Sequence, residues 1–251
     1  MATVVARPEN AAKVVFSLPG RRYDHVFFST MAWLMLVTVF VGFAPSYYLA
    51  GVFRAPLPSM IIHVHGAAFT CWMLLLVTQT SLVAAGRTDI HRRLGIGGFV
   101  LACAMVILGV MAATDSLVRE AGPPGRDPKF FYVVPMTAML VFGVVIAFAY
   151  RNRKDSSAHK RLIVVATTSL MVAAFARWPW ALVHRRVPMA TLVSYIFLLT
   201  LVGYDLWSIR RIHRATLWAG GFLVVAYQLR SPIGQSAAWH SFAGWVQHAA
   251  R

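Results

Sequence analysis

The chain has 251 residues, of which 59% are hydrophobic and only 13% charged, and it carries a formal net charge of +16. A soluble domain holds about 25% charged residues, so the composition excludes an ordinary soluble enzyme and points to a polytopic membrane protein. The Lys and Arg residues flank long uncharged runs, so membrane topology and anionic lipid headgroups account for the charge, and nucleic acid is set aside as a partner.

The opening M-A-T-V-V-A-R-P-E-N has no apolar core ahead of its charges and no small-residue cleavage site. No cleavable signal peptide is expected, and residues 1–25 read as a cytoplasmic N-terminal segment. Seven candidate spans follow, at about residues 26–50, 57–85, 92–115, 130–150, 160–184, 189–208 and 215–230. A helix needs about 20 residues to cross the hydrocarbon core; the seventh run is the shortest. Pro135 and Pro179 fall inside spans four and five as expected kink points. The longest connection, Ser116 to Lys129, is a polar loop rich in turn residues. The expectation is one all-α transmembrane bundle over residues 26–230. With the N-terminus inside, the inner segments carry 15 Lys and Arg and the outer segments 8, Arg177 lying within a span. That bias puts the C-terminus outside and suits a multi-pass protein of the bacterial inner membrane. In the tail, 231–251, Trp239, Phe242, Ala243 and Val246 recur at helical spacing. They predict either an amphipathic helix in the outer interface or a helix packed on the bundle end. Cys71 and Cys103 lie in apolar runs without a CxxC partner and read as small buried thiols.

Chemistry is sought among the nine histidines. His63, His65 and His184 fall near the outer ends of spans two and five. His91 and His159 mark the inner ends of spans three and five, opening the segments H-R-R-L and H-K-R-L, a weak internal echo. His63 and His65, two apart, point about 200° away from each other on a helix and cannot grip one ion together. His63 shares its face with the small residues Gly66, Ala67 and Thr70, His65 with Ala68, Phe69 and Trp72. The expectation is that His63 faces the bundle interior and His65 packs on a neighbouring helix or sits near the interface. Ionisable groups within a bilayer are costly and mark function. Two histidine layers would suit a two-haem electron path, imidazole being a common axial ligand; the structural alternative is that these rings bond carbonyls or face water and lipid phosphate.

The run H-V-H-G, followed by W-M-L-L-L and H-R-R-L-G, resembles bacterial multi-pass proteins loosely related to transmembrane di-haem cytochromes b, and a group of uncharacterised bacterial membrane proteins. The resemblance covers residues 60–100 best and extends at most to 184. It implies haem b, with His63 or His65 paired to His184 and His91 paired to His159. Span four, which bears a ligand in the di-haem cytochromes, has no histidine here.

In A-R-W-P-W, Trp178 and Trp180 suit an interfacial aromatic belt with a snorkelling Arg177. The functional alternative is a quinone headgroup or an anionic ligand, with Arg177 as donor. None of the eight acids lies mid-span, which counts against a cation-coupled transporter. Asp205, near the inner end of span six, is placed to pair with His159 or an inner arginine. No central lysine, H-E-x-x-H, G-x-S-x-G, phosphate loop or di-iron histidine box is present, so no catalytic residue is assigned.

The leading expectation is a histidine-ligated haem or metal protein passing electrons between a quinol or soluble donor and an acceptor, with His63, His65, His91 and His159 as metal ligands and His184 and Arg177 completing the cofactor contacts. The alternatives are a cofactor-free subunit or assembly factor of a membrane complex, and a small-molecule transporter.

Overall fold

A computed structural model describes residues 23–56, 58–122 and 125–251. The expected N-terminal segment, 1–25, falls almost wholly outside them. The described chain is all helical: α1 (Asp24–Phe43) runs into a π-helical turn (Ala44–Tyr48), followed by α2 (Ala50–Phe53), α3 (Met60–Ala84), α4 (Thr88–Val118), α5 (Pro128–Arg151), α6 (Ser156–Thr168), α7 (Met171–Phe175), α8 (Val187–Ile209), α9 (Arg214–Gln228), α10 (Arg230–Gln235) and α11 (Ala237–Ala249).

Among the described residues six helical segments are long and apolar enough to cross a membrane: Asp24–Tyr48, Met60–Ala84, Thr88–Val118, Pro128–Arg151, Ser156–Phe175 and Val187–Ile209. The expected seventh span is not of that length. α9 has 15 residues, about 22 Å at 1.5 Å per residue, and α10 follows directly. Together they still run the length of the bundle. His213, the cap of α9, lies beside Asp205, whereas Gly234 in α10 abuts Phe130 and Val133 at the start of α5.

Short connections make α3, α4, α5 and α6 antiparallel neighbours in sequence order, and α1 packs on α3 and α7. The fifth segment, α6 with α7, is the centre. Within its apolar window 78% of residues are buried, against 22–39% for the other five. Its neighbours are helices rather than lipid, so it can carry Arg161, Thr167, Thr168 and Ser169, all buried. Around it lie the fully buried Met31, Met35, Met73, Met105, Phe142 and Leu201.

This central helix breaks where no proline stands. Thr167 and Thr168 donate their hydroxyls to Ile163 and Val164 O (2.9 Å each), and Ser169 donates to Ala166 O (2.7 Å). Three successive hydroxyls bonding back to the preceding turn compete with the helical ladder. The helix interrupts at Ser169–Leu170, and Tyr227 Oη donates to the Ser169 carbonyl freed there. Pro135 sits inside an unbroken α5, and Pro179 lies beyond α7 in the turns before α8.

At one end of the bundle a buried ion pair joins three helices. Arg161 is 2% exposed and Asp205 0%. Asp205 Oδ1 accepts from Arg161 Nε at 2.7 Å, and Oδ2 accepts from Thr216 Oγ1 at 2.6 Å and His213 N at 3.0 Å. Arg161 Nη1 donates to Ser157 O and Oγ, both at 2.9 Å. Beside this cluster Lys160 and Tyr204 both donate to Asp24, tying α1 to the same end.

The tail packs on the other end. In α11, Ala243 and Gln247 are buried, and Trp239 Nε1 donates to Lys129 O at 2.9 Å. Phe242 belongs to the expected stripe but lies outward with Trp245, which is 67% exposed. Cys71 and Cys103 are also outward rather than buried.

Removing one member of a buried pair strands the other charge. Asp205→Ala is expected to lower stability by about 3–5 kcal/mol in chemical unfolding of the detergent-solubilised protein, and adding Arg161→Leu should recover much of it. No recovery would mean that the stranded Thr216 and His213 donors carry the cost. A second expectation concerns α1 and α7: a Cβ on Gly42 would lie 2.3 Å from the Ala174 carbonyl oxygen, a backbone atom. Gly42→Ala should cost about 1–3 kcal/mol, whereas Gly97→Ala, which meets nothing within 4 Å, should shift stability by no more than about 0.5 kcal/mol.

Candidate ligand-binding site

The end opposite the Arg161–Asp205 pair holds a cavity of about 430 Å³, enclosed by the C-terminal parts of α1 and α4, the N-terminal parts of α3 and α5, the helix break and α7. Its volume is in the range of small-molecule sites. Most of its lining is apolar, and three cationic or basic side chains face it: His65, Arg177 and Arg230.

The cavity is reached by His65, not by His63. His63 is exposed, its ring 5.5 Å from that of Tyr47. The small face predicted to admit something flat does so, and the flat group belongs to the chain itself. The π-helical turn after α1 folds Tyr47 over Gly66, where an added Cβ would lie 2.9 Å from the Tyr47 ring. Tyr47 Oη donates to His63 O at 3.1 Å, and the Tyr48 and Thr70 hydroxyls meet at 2.9 Å. With its small-residue face covered by these tyrosines, α3 turns His65 inward against Phe69, ring centroids 4.4 Å apart. His65 Nδ1 is buried and has no hydrogen-bond partner among the described residues.

Arg230, at the start of α10, is 6% exposed. Its guanidinium lies 3.3 Å above the Tyr227 ring centroid, and Nη2 donates to Val134 O at 3.1 Å. Its Nε and Nη1 are buried without partners among the described residues. Arg177 donates from Nη1 to Ala173 O at 2.8 Å and lies 4.6 Å from the Phe43 ring centroid. Its side chain is exposed and forms part of the cavity lining.

Among the described residues no carboxylate lines the cavity. Every described acid is engaged elsewhere: Asp24 with Lys160, Asp89 with Arg87, Asp115 with Arg119 and Ser59, Glu120 with Arg251, Asp127 and Asp155 as helix caps, and Asp205 with Arg161. No family model, curated protein or solved structure matches the chain.

The two histidines expected at the inner end do come together. His91 and His159 are each the fourth residue of their helices, at the same end of the bundle, and their rings lie 6.4 Å apart at 81°. His159 Nδ1 donates to Ala149 O at 2.9 Å, which leaves Nε2 bare. The Gln79 side-chain amide lies 2.7 Å from His91 Nδ1. Beside this pair, Lys160 and Arg161 are bound to Asp24 and Asp205. The outer pairing is not formed: His184 lies in the turns after α7, where its Nδ1 donates to Trp178 O at 3.1 Å. Of the two expected histidine pairs, the outer one is therefore not formed and the His91–His159 one is. Among the described residues no group of three or more His, Cys, Asp or Glu side chains is placed to hold a metal ion.

Arg230 and the two tyrosines of the π-helical turn were missed at the sequence level. Arg230 read as a charge at the end of a span. The available signal was its isolation, since the nearest acid along the chain is Asp205.

The unformed outer pairing makes a direct spectroscopic prediction. Any Soret band and split visible bands that protein from haem-supplemented cells shows after dithionite should be lost in both His91→Ala and His159→Ala and kept in His184→Ala. A reduced b-type spectrum lost in His184→Ala would restore the outer pair.

Proposed function

We propose that this chain is an integral membrane protein of the bacterial inner membrane that binds an amphipathic anion, a molecule with an apolar body and a negatively charged end, in the cavity beside Arg177 and Arg230. The observation that carries the reading is Arg230: a buried guanidinium, two of whose nitrogens lack a hydrogen-bond partner among the described residues, in the lining of a largely apolar cavity with no carboxylate among its described lining residues. An uncompensated buried charge is costly, and an anionic ligand supplies both the missing charge and the missing acceptors. Arg177 adds a second cation to the same space, and His65 adds a ring able to donate or accept. The apolar lining, including Phe69, Met73, Phe131 and Met139, suits a hydrocarbon or ring body.

The helix break supports a binding or carrier role over a purely structural one. Ser169 to Ala173 line the cavity, and interrupted helices at ligand sites are a recurring feature of membrane carriers. A quinone headgroup shares the acceptor chemistry but is neutral, so it leaves the two cations uncompensated.

Dodecanoate titrated calorimetrically into the protein in neutral detergent should bind, and chain-matched dodecanol should not. Arg230→Gln, which removes the charge and keeps polar atoms, should weaken dodecanoate at least about tenfold, the scale of a charge-assisted hydrogen bond; Arg177→Gln should act in the same direction. Equal binding of dodecanol would overturn the anionic reading. Binding of a short-chain quinone without dodecanoate would replace the anion by a neutral acceptor.

A further inference from the structure

A second recess lies at the opposite end of the bundle, where the C-terminal end of α5, the start of α6 and the turn into α9 meet. We propose that it is a binding site for the headgroup and upper acyl chain of an anionic phospholipid. The proposal is independent of the cavity described above.

The recess is a groove of about 630 Å³ with a polar and an apolar half. Arg211 and Arg214 form the polar rim. Both are exposed, and neither pairs with a carboxylate among the described residues. The one acid in the lining, Asp155, is committed to the start of α6, where Oδ1 accepts from Ser157 N at 2.9 Å and Ala158 N at 3.1 Å. Two guanidiniums at one rim match the oxygens of a phosphodiester.

The apolar half distinguishes a lipid from a free phosphate. Phe148 and Trp218 wall the groove with ring centroids 4.6 Å apart, and both keep more than 40% of their surface exposed. The wall continues away from the basic rim. Trp218 stacks on Phe222 at 6.1 Å, and Val225, one turn further along α9, is 58% exposed. These positions, at i, i+4 and i+7, form one outward stripe. A phosphate held at Arg211 and Arg214 would therefore have an apolar track at its feet, running along the outside of the bundle where an acyl chain lies. A basic pocket between transmembrane helices beside an apolar face is the chemistry that recognises anionic lipid headgroups.

Trp218 reports on the site directly. Purified full-length protein in neutral detergent is titrated with phosphatidylglycerol or phosphatidylcholine carrying the same brominated acyl chains. The Trp218 signal is the difference between wild type and Trp218→Phe. Phosphatidylglycerol should quench this signal at concentrations about fivefold lower than phosphatidylcholine. Arg211→Gln/Arg214→Gln should abolish the preference, while Arg92→Gln/Arg93→Gln, an equal loss of charge elsewhere at the same end, should preserve it. Equal quenching by the two lipids would overturn the proposal, as would a preference that survives the Arg211/Arg214 variant or is lost equally in the control. Relief of quenching by millimolar inorganic phosphate, beyond that by chloride at matched ionic strength, would reassign the rim to a soluble anion.

Discussion

A buried guanidinium–carboxylate contact anchors this bundle. Arg161 and Asp205 are out of reach of solvent, and between them they hold α6, α8 and the start of α9. Such a pair is not a strong source of net stability, since desolvation offsets most of the attraction. Its value is in specification. With Ser157 satisfying one end of Arg161 and Thr216 and His213 satisfying the second oxygen of Asp205, only one register of the three helices leaves no charge unpaired. The lipid-facing helices have no comparable constraint, because one apolar face is much like another to a hydrocarbon solvent.

The same logic, applied to the other end, gives the opposite result. There Arg230 and Arg177 line a cavity with no acid among its described lining residues. One cation in this protein is thus fully matched and buried for structure, and another is buried and left incomplete. The contrast separates a structural charge from a binding charge more sharply than burial alone does.

Much of the architecture was legible in the sequence because hydropathy and length act over whole segments. The six long helices, the loop at Ser116–Lys129 and the placing of Asp205 near an inner arginine all follow from them. The meeting of His91 with His159 was also legible, since both open helices at the same end of the bundle. What was not legible depended on local competition. The break at Ser169 comes from three hydroxyls in a row rather than from Pro179. The turn that brings Tyr47 onto Gly66 is set by a π-helical register that no hydropathy pattern records, and this turn decides that His65 rather than His63 faces inward. Arg230 was hidden because an arginine just past an apolar run looks like every other topogenic charge.

The near-contact of Gly42 with the Ala174 carbonyl has a mechanical consequence. It locks α7 to α1 at the level of the cavity, while the break at Ser169 uncouples α7 from α6. The lower half of the central helix is thus fastened to the Arg161 cluster, and the upper half is fastened to the element that ends in Tyr47 and Tyr48. Displacement of α7 by an occupant of the cavity would be transmitted sideways, into α1 and the tyrosine-bearing turn, rather than down the helix axis. Because Asp24 at the other end of α1 is held by Lys160 and Tyr204, α1 is the route by which such a displacement would reach the ionic end.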